Sequence, residues 1–144
     1  MNSSTNSEQK NRQSYSLKIV HNHVEPNKIG YACEKLGVAV WKLATGVGEL
    51  KERLADAFIE IAILNEADFP QELREKWKQI YSGLTCGKMQ YETRAKNGQL
   101  VKEPIGKLYS TLRYMRKNKA QRIAQQICSL EAILSDYVKN VNEI

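Results

Sequence analysis

The chain has 144 residues, 42% of them hydrophobic and 26% charged, with a formal net charge of +6. That composition describes one globular domain and excludes a fibrous or low-complexity chain. No apolar run reaches the roughly 18–20 residues that span a bilayer, and the polar N-terminus lacks the apolar segment of a secretory signal.

The charge is unevenly placed. Residues 1–72 carry eight Lys/Arg against ten Asp/Glu, a net of −2, whereas residues 73–144 carry fourteen against six, a net of +8. Five cations fall within 113–122: Arg113, Arg116, Lys117, Lys119 and Arg122. Such a field attracts polyanions and acidic surfaces. Cys33, Cys86 and Cys128 are odd in number and far apart, which predicts a reducing, cytoplasmic setting rather than a disulfide framework. Cys33 and Cys128 lie on apolar stripes and are expected in the core; Cys86 is expected to be accessible.

In chain order, residues 1–16 are rich in Ser, Asn and Gln and predict a disordered tail ahead of a single helical domain over 17–144. Residues 17–24 alternate loosely and predict a short strand or extended lead-in. His21 and His23 would share one face of a strand, but no Cys or carboxylate cluster adjoins them, so a solvated loop is expected and no metal site.

The strongest signal follows. Ile29, Cys33, Leu36, Val40, Leu43, Val47, Leu50, Leu54, Ala57, Ile61 and Leu64 step by fours and threes, the helical period. Pro26 suits the entry. Gly46 and Gly48 interrupt the run, and a glycine inside a helix costs about 1 kcal/mol. The spacing therefore predicts a break, with Gly46 as cap of one helix and a second helix over about 48–65. The unbroken phase leaves one kinked helix over 29–64 as the alternative. Val38, Ala39, Trp41, Phe58, Ile59, Ala62 and Ile63 widen the apolar face beyond a two-stranded seam, predicting burial in a compact bundle or in a homodimer.

Asp68, Phe69, Pro70 and Gln71 read as the start of a third helix, with Asp68 accepting from free N–H groups and Gln71 at the capping-box position. Leu73, Trp77, Ile80 and Leu84 form its inner stripe. Residues 85–103 lack a helical period, and Asn97-Gly98 is a hairpin turn signal, so a long loop or small β-hairpin is predicted there, carrying Lys88, Arg94 and Lys96. Pro104 opens a fourth helix with Ile105, Leu108, Leu112 and Met115 inward. A fifth carries Ala120, Ile123, Ile127, Leu130, Leu134, Tyr137 and Val141. The phase slips within 116–119, predicting a helix–helix corner capped by Asn118. The fold class expected is all-α, a compact bundle of about five helices.

Leu43-Ala44, Gly46, Gly48, Arg53-Leu54, Ala57, the run 70–74, Leu84-Thr85, Thr111-Leu112, Met115 and Ile123-Ala124 carry a resemblance. Over roughly 36–134 the chain resembles small helical proteins of unknown function from bacterial and mobile-element genomes. The resemblance implies an all-helical fold of bacterial or phage origin and brings no active site with it.

Chemistry-bearing motifs are missing: there is no GxSxG, P-loop, HExxH or strand-linked GxGxxG. Glu49, Glu52, Asp56 and Glu60 recur at helical spacing with Lys51 and Arg53 between them, which reads as a solvated face rather than a catalytic pair. No enzyme and no cofactor is expected. The basic corner 113–122 and the loop cations Lys88, Arg94 and Lys96 form the expected binding surface. A protein-interaction module (adaptor, inhibitor or assembly subunit) would dock an acidic protein surface there. The alternative is nucleic acid, with Tyr109 and Tyr114 for stacking, although no helix-turn-helix glycine or RNA-binding signature is present.

Overall fold

The computed structural model describes residues 26–87 and 105–142. They form α1 (Pro26–Thr45), α2 (Leu50–Ile61), α3 (Gln71–Thr85), α4 (Ile105–Tyr114) and α5 (Lys117–Asn142), with a 3-10 turn at Glu66–Asp68. No strand occurs among the described residues. The expected tail, the 17–24 lead-in with His21 and His23, and most of the 85–103 segment lie outside them. No described helix is long and apolar enough to cross a membrane.

Each helix buries most of the stripe its periodicity marked, but Val47, expected on the stripe, lies in the reversal after α1 and is exposed, and Cys33, Val40, Leu50 and Ile105 are only half-buried. Leu36, Leu54, Phe58, Ile61, Ile80, Leu84, Leu108, Ile127, Leu130 and Leu134 are fully enclosed. The first helix packs against both α2 and α5, and α3 closes the other side against α4 and α5. The long α5 thus runs along three partners, which is why its apolar stripe persists through Leu134. Phe69, Trp77, Tyr81 and Phe58 form a chain of ring contacts 5.2–5.8 Å apart that ties α2 to α3. Across α1 and α5, the Cys33 Sγ lies 3.4 Å from Ser135 Oγ, whose hydroxyl donates to Glu131 at 2.8 Å.

The run 29–64 is two helices, not one kinked helix. The chain reverses over 46–49, and the residue in the left-handed region is Gly48, with φ 104°, rather than Gly46. Gly46 instead donates its N–H to the Lys42 carbonyl at 2.8 Å. Arg53 completes the turn: Nη1 donates to the Leu43 carbonyl at 2.6 Å and Nε to the Gly48 carbonyl at 3.2 Å. One carbonyl that the end of α1 leaves open, Leu43, and one in the reversal, Gly48, are thereby satisfied by a side chain from α2.

Other expectations need correction. The second helix begins at Leu50 and ends at Ile61, shorter than the expected 48–65. Asp68 does not cap α3; its carboxylate accepts from Asn65 N–H at 2.9 Å while Asn65 Oδ1 accepts from Ala67 N–H, closing the 3-10 turn on itself. Pro70 is the residue before α3. Nor is the α1–α2 face buried all round: Ala39 and Phe58 are interior, but Val38, Trp41, Ile59 and Ile63 are exposed. Cys128, expected in the core, is exposed, and Cys33 is half-buried. Cys128 sits one position beyond Ile127, which carries the core contact at that level of α5. Desolvation of the thiolate raises the Cys128 pKa, with the negative charge of Glu131 adding to it.

Candidate functional site

The corner between α4 and α5 forms where Met115 turns inward and the helical bonds restart. Met115 is buried, its N–H bonds the Leu112 carbonyl, and the Ala120 N–H takes up the Arg116 carbonyl. The break therefore falls at 115–116, and Asn118 lies within the first turn of α5 rather than capping it. On the opposite wall the end of α3 is pinned to α4. The Gly87 N–H donates to Thr111 Oγ1 at 2.7 Å, and that hydroxyl donates to the Lys107 carbonyl at 2.6 Å. A side chain at Gly87 would strike the Thr111 backbone at 2.7 Å, so only glycine permits this approach.

Between these walls lies a concavity of about 590 Å³. Arg116, Lys119 and Arg122 line it together with Cys86, Tyr114 and Met115. Lys119 Nζ donates to the Cys86 sulfur at 3.8 Å. Tyr114 is 69% exposed, and the Arg113 guanidinium lies 5.6 Å from its ring centroid, a cation–π contact that leaves both groups at the surface.

The structure brings together three of the five corner cations expected at the site. Lys117 faces a different concavity, and Arg113 lies outside the lining. Tyr109 is exposed on α4 but does not line the concavity. Lys88, Arg94 and Lys96 lie outside the described residues. Cys86 and Met115 join the site without having been marked for it; neither position carries a motif, and only the fold sets the end of α3 beside the start of α5.

Charge partners separate this corner from the rest. The ion pairs among the described residues are Lys35–Glu60 at 3.8 Å, Lys42–Glu60 at 2.7 Å and Lys78–Glu66 at 2.9 Å. None involves a corner cation. Glu60, expected on a solvated acidic face, is instead held by two lysines, and the Lys42 hydrogen bond keeps its carboxyl below the ordinary range, against partial desolvation. Among the described residues no group of three His, Cys, Asp or Glu converges as a metal site.

Comparisons with protein-family models, curated proteins and solved structures found no match.

Proposed function

We propose that this chain is a non-enzymatic interaction module that docks an acidic protein through the α4–α5 corner. One observation carries the reading: a concavity lined by Arg116, Lys119 and Arg122 together with Tyr114 and Met115, with none of the three cations in an ion pair among the described residues. A concavity that mixes cationic and apolar lining suits a partner of complementary charge. Cations with no ion pair among the described residues lose little on meeting carboxylates, because no such pair must first be broken. The resemblance to small helical proteins of mobile elements suits a chain that acts by occupying another protein, such as a host or defence complex.

The test is affinity capture from the native host at moderate salt, with and without nuclease, by wild type and by R116E/K119E. A protein retained after nuclease by wild type and lost by the double reversal is the expected result. Capture that disappears with nuclease, and that falls steeply as salt rises, assigns the corner to nucleic acid instead.

A further inference from the structure

We infer that the acidic partner is bound as an extended peptide segment lying across the first turn of α5 and held at two places. This rests on the docking reading above and specifies the form the partner takes.

A second concavity, of about 570 Å³, opens beside the same turn; Glu49, Leu50, Lys51 and Arg53 from the start of α2 line it together with Lys117 and Ala120. At 3.6 residues per turn, Lys117 and Ala120 project within about 60° of each other, whereas Asn118, Lys119 and Arg122 centre roughly on the opposite side. The two concavities therefore flank α5 where it begins. Arg53 is committed to the Leu43 and Gly48 carbonyls. Lys51 and Lys117 form no ion pair among the described residues. Free positive charge thus stands on both flanks: Arg116, Lys119 and Arg122 on one, Lys51 and Lys117 on the other.

A flat acidic surface rests on the ridge of α5 between the two recesses; a narrow chain laid across the helix can enter both. A helix with its side chains is about 10–12 Å wide, and extended chain covers about 3.3–3.6 Å per residue, so about four residues cross it and about a dozen fill both ends. Peptide fits better than a nucleic-acid strand at the second concavity. Among the described residues no aromatic side chain lines it to stack a base. Glu49 in its wall repels phosphates and carboxylates alike, but a peptide can turn a backbone N–H to it, a donor that the phosphate backbone of a nucleic-acid strand lacks.

The probes are fluorescent tetraglutamate and dodecaglutamate, titrated at about 0.15 M salt, where screening confines charge effects to about 8 Å. The long peptide is expected to bind about tenfold or more tighter than the short one, the gain from a second anchor. K51Q/K117Q should remove most of that gain and leave the short peptide within about twofold. K76Q/K139Q, with the same loss of charge on exposed lysines of α3 and the last turn of α5, should leave the gain in place. R116E/K119E should abolish both. Unchanged thermal midpoints establish that the variants fold, and K117Q alone, at an exposed residue, serves if the double variant does not. If K51Q/K117Q acts no more than its charge control while R116E/K119E still abolishes binding, the two-anchor inference falls and the docking reading stands. Binding indifferent to R116E/K119E, or no binding of either peptide, overturns both. A twelve-nucleotide single strand binding tighter than dodecaglutamate at the same salt overturns the choice of peptide.

Discussion

The α1–α2 hairpin and the α4–α5 corner use lysine and arginine for opposite ends. In the hairpin, three cations are consumed by the fold. Lys35 and Lys42 converge on Glu60, and Arg53 closes the reversal through two backbone carbonyls. At the corner, Arg116, Lys119 and Arg122 crowd one concavity without a carboxylate. Like charges set this close weaken a helix by a few tenths of a kcal/mol per pair. Among the described residues no carboxylate pairs with them there, while one pairs with Lys35 and Lys42 in the hairpin. Charge density alone therefore says little; what separates the two regions is whether the chain's own acceptors answer it.

The comparison can be broken from the hairpin side first. Leu54 is fully buried where α2 faces the core, so Leu54→Ala should lose about 2–5 kcal/mol in chemical denaturation. A change below about half a kcal/mol would mean that α2 is peripheral, and that its ion pairs serve something other than the core. Next is the reversal itself. With φ 104°, and with an added Cβ overlapping the Glu52 carboxylate, Gly48→Ala should cost about 1–2 kcal/mol, read from the thermal midpoint.

Smaller still is the ion-pair effect. The folded Glu60 pKa is lowered, so its contribution is present above the unfolded value and is lost as pH falls through the folded one. Its side chain and that of Lys42 are 24% and 35% exposed, which holds the expected loss in Glu60→Gln below about 1 kcal/mol at neutral pH. The difference from wild type should vanish in acid; a difference that persists there would place the effect in packing rather than charge. Smallest of all, R116E/K119E should leave stability within about half a kcal/mol of wild type. A clear loss would show that the corner cations serve the fold after all, and would remove the contrast.

Much of this fold was legible in the sequence because helix packing writes a period. The stripes through Leu54, Trp77, Ile80, Leu108 and Ile127 became the core. Where one apolar residue neighbours another on the same turn, the period cannot say which turns inward. Trp41 and Ile63 extend the face and are exposed, and Cys128 yields its place to Ile127. Caps were legible as residue types but not as partners: Asp68 closed a 3-10 turn, and the left-handed glycine was the second of two candidates. The basic cluster at 113–122 was visible as a run, yet helical rotation divides it, sending Lys117 toward Lys51 and Arg116, Lys119 and Arg122 toward Cys86, with Arg113 in neither lining. No local pattern joins Lys51 to α5, since that proximity exists only once α2 and α5 pack.

The chain's two tryptophans lie in contrasting surroundings. Trp77 is 3% exposed within the ring stack of α3, and Trp41 is 67% exposed on α1. Ultraviolet excitation near the red edge therefore yields two emitters, a blue-shifted interior one and a red-shifted one open to iodide. Quenching the second leaves a signal that follows the core alone, while the quenchable part follows whatever settles on the α1 surface. The protein thus carries, without any added label, separate optical reports of its folding and of its outer face.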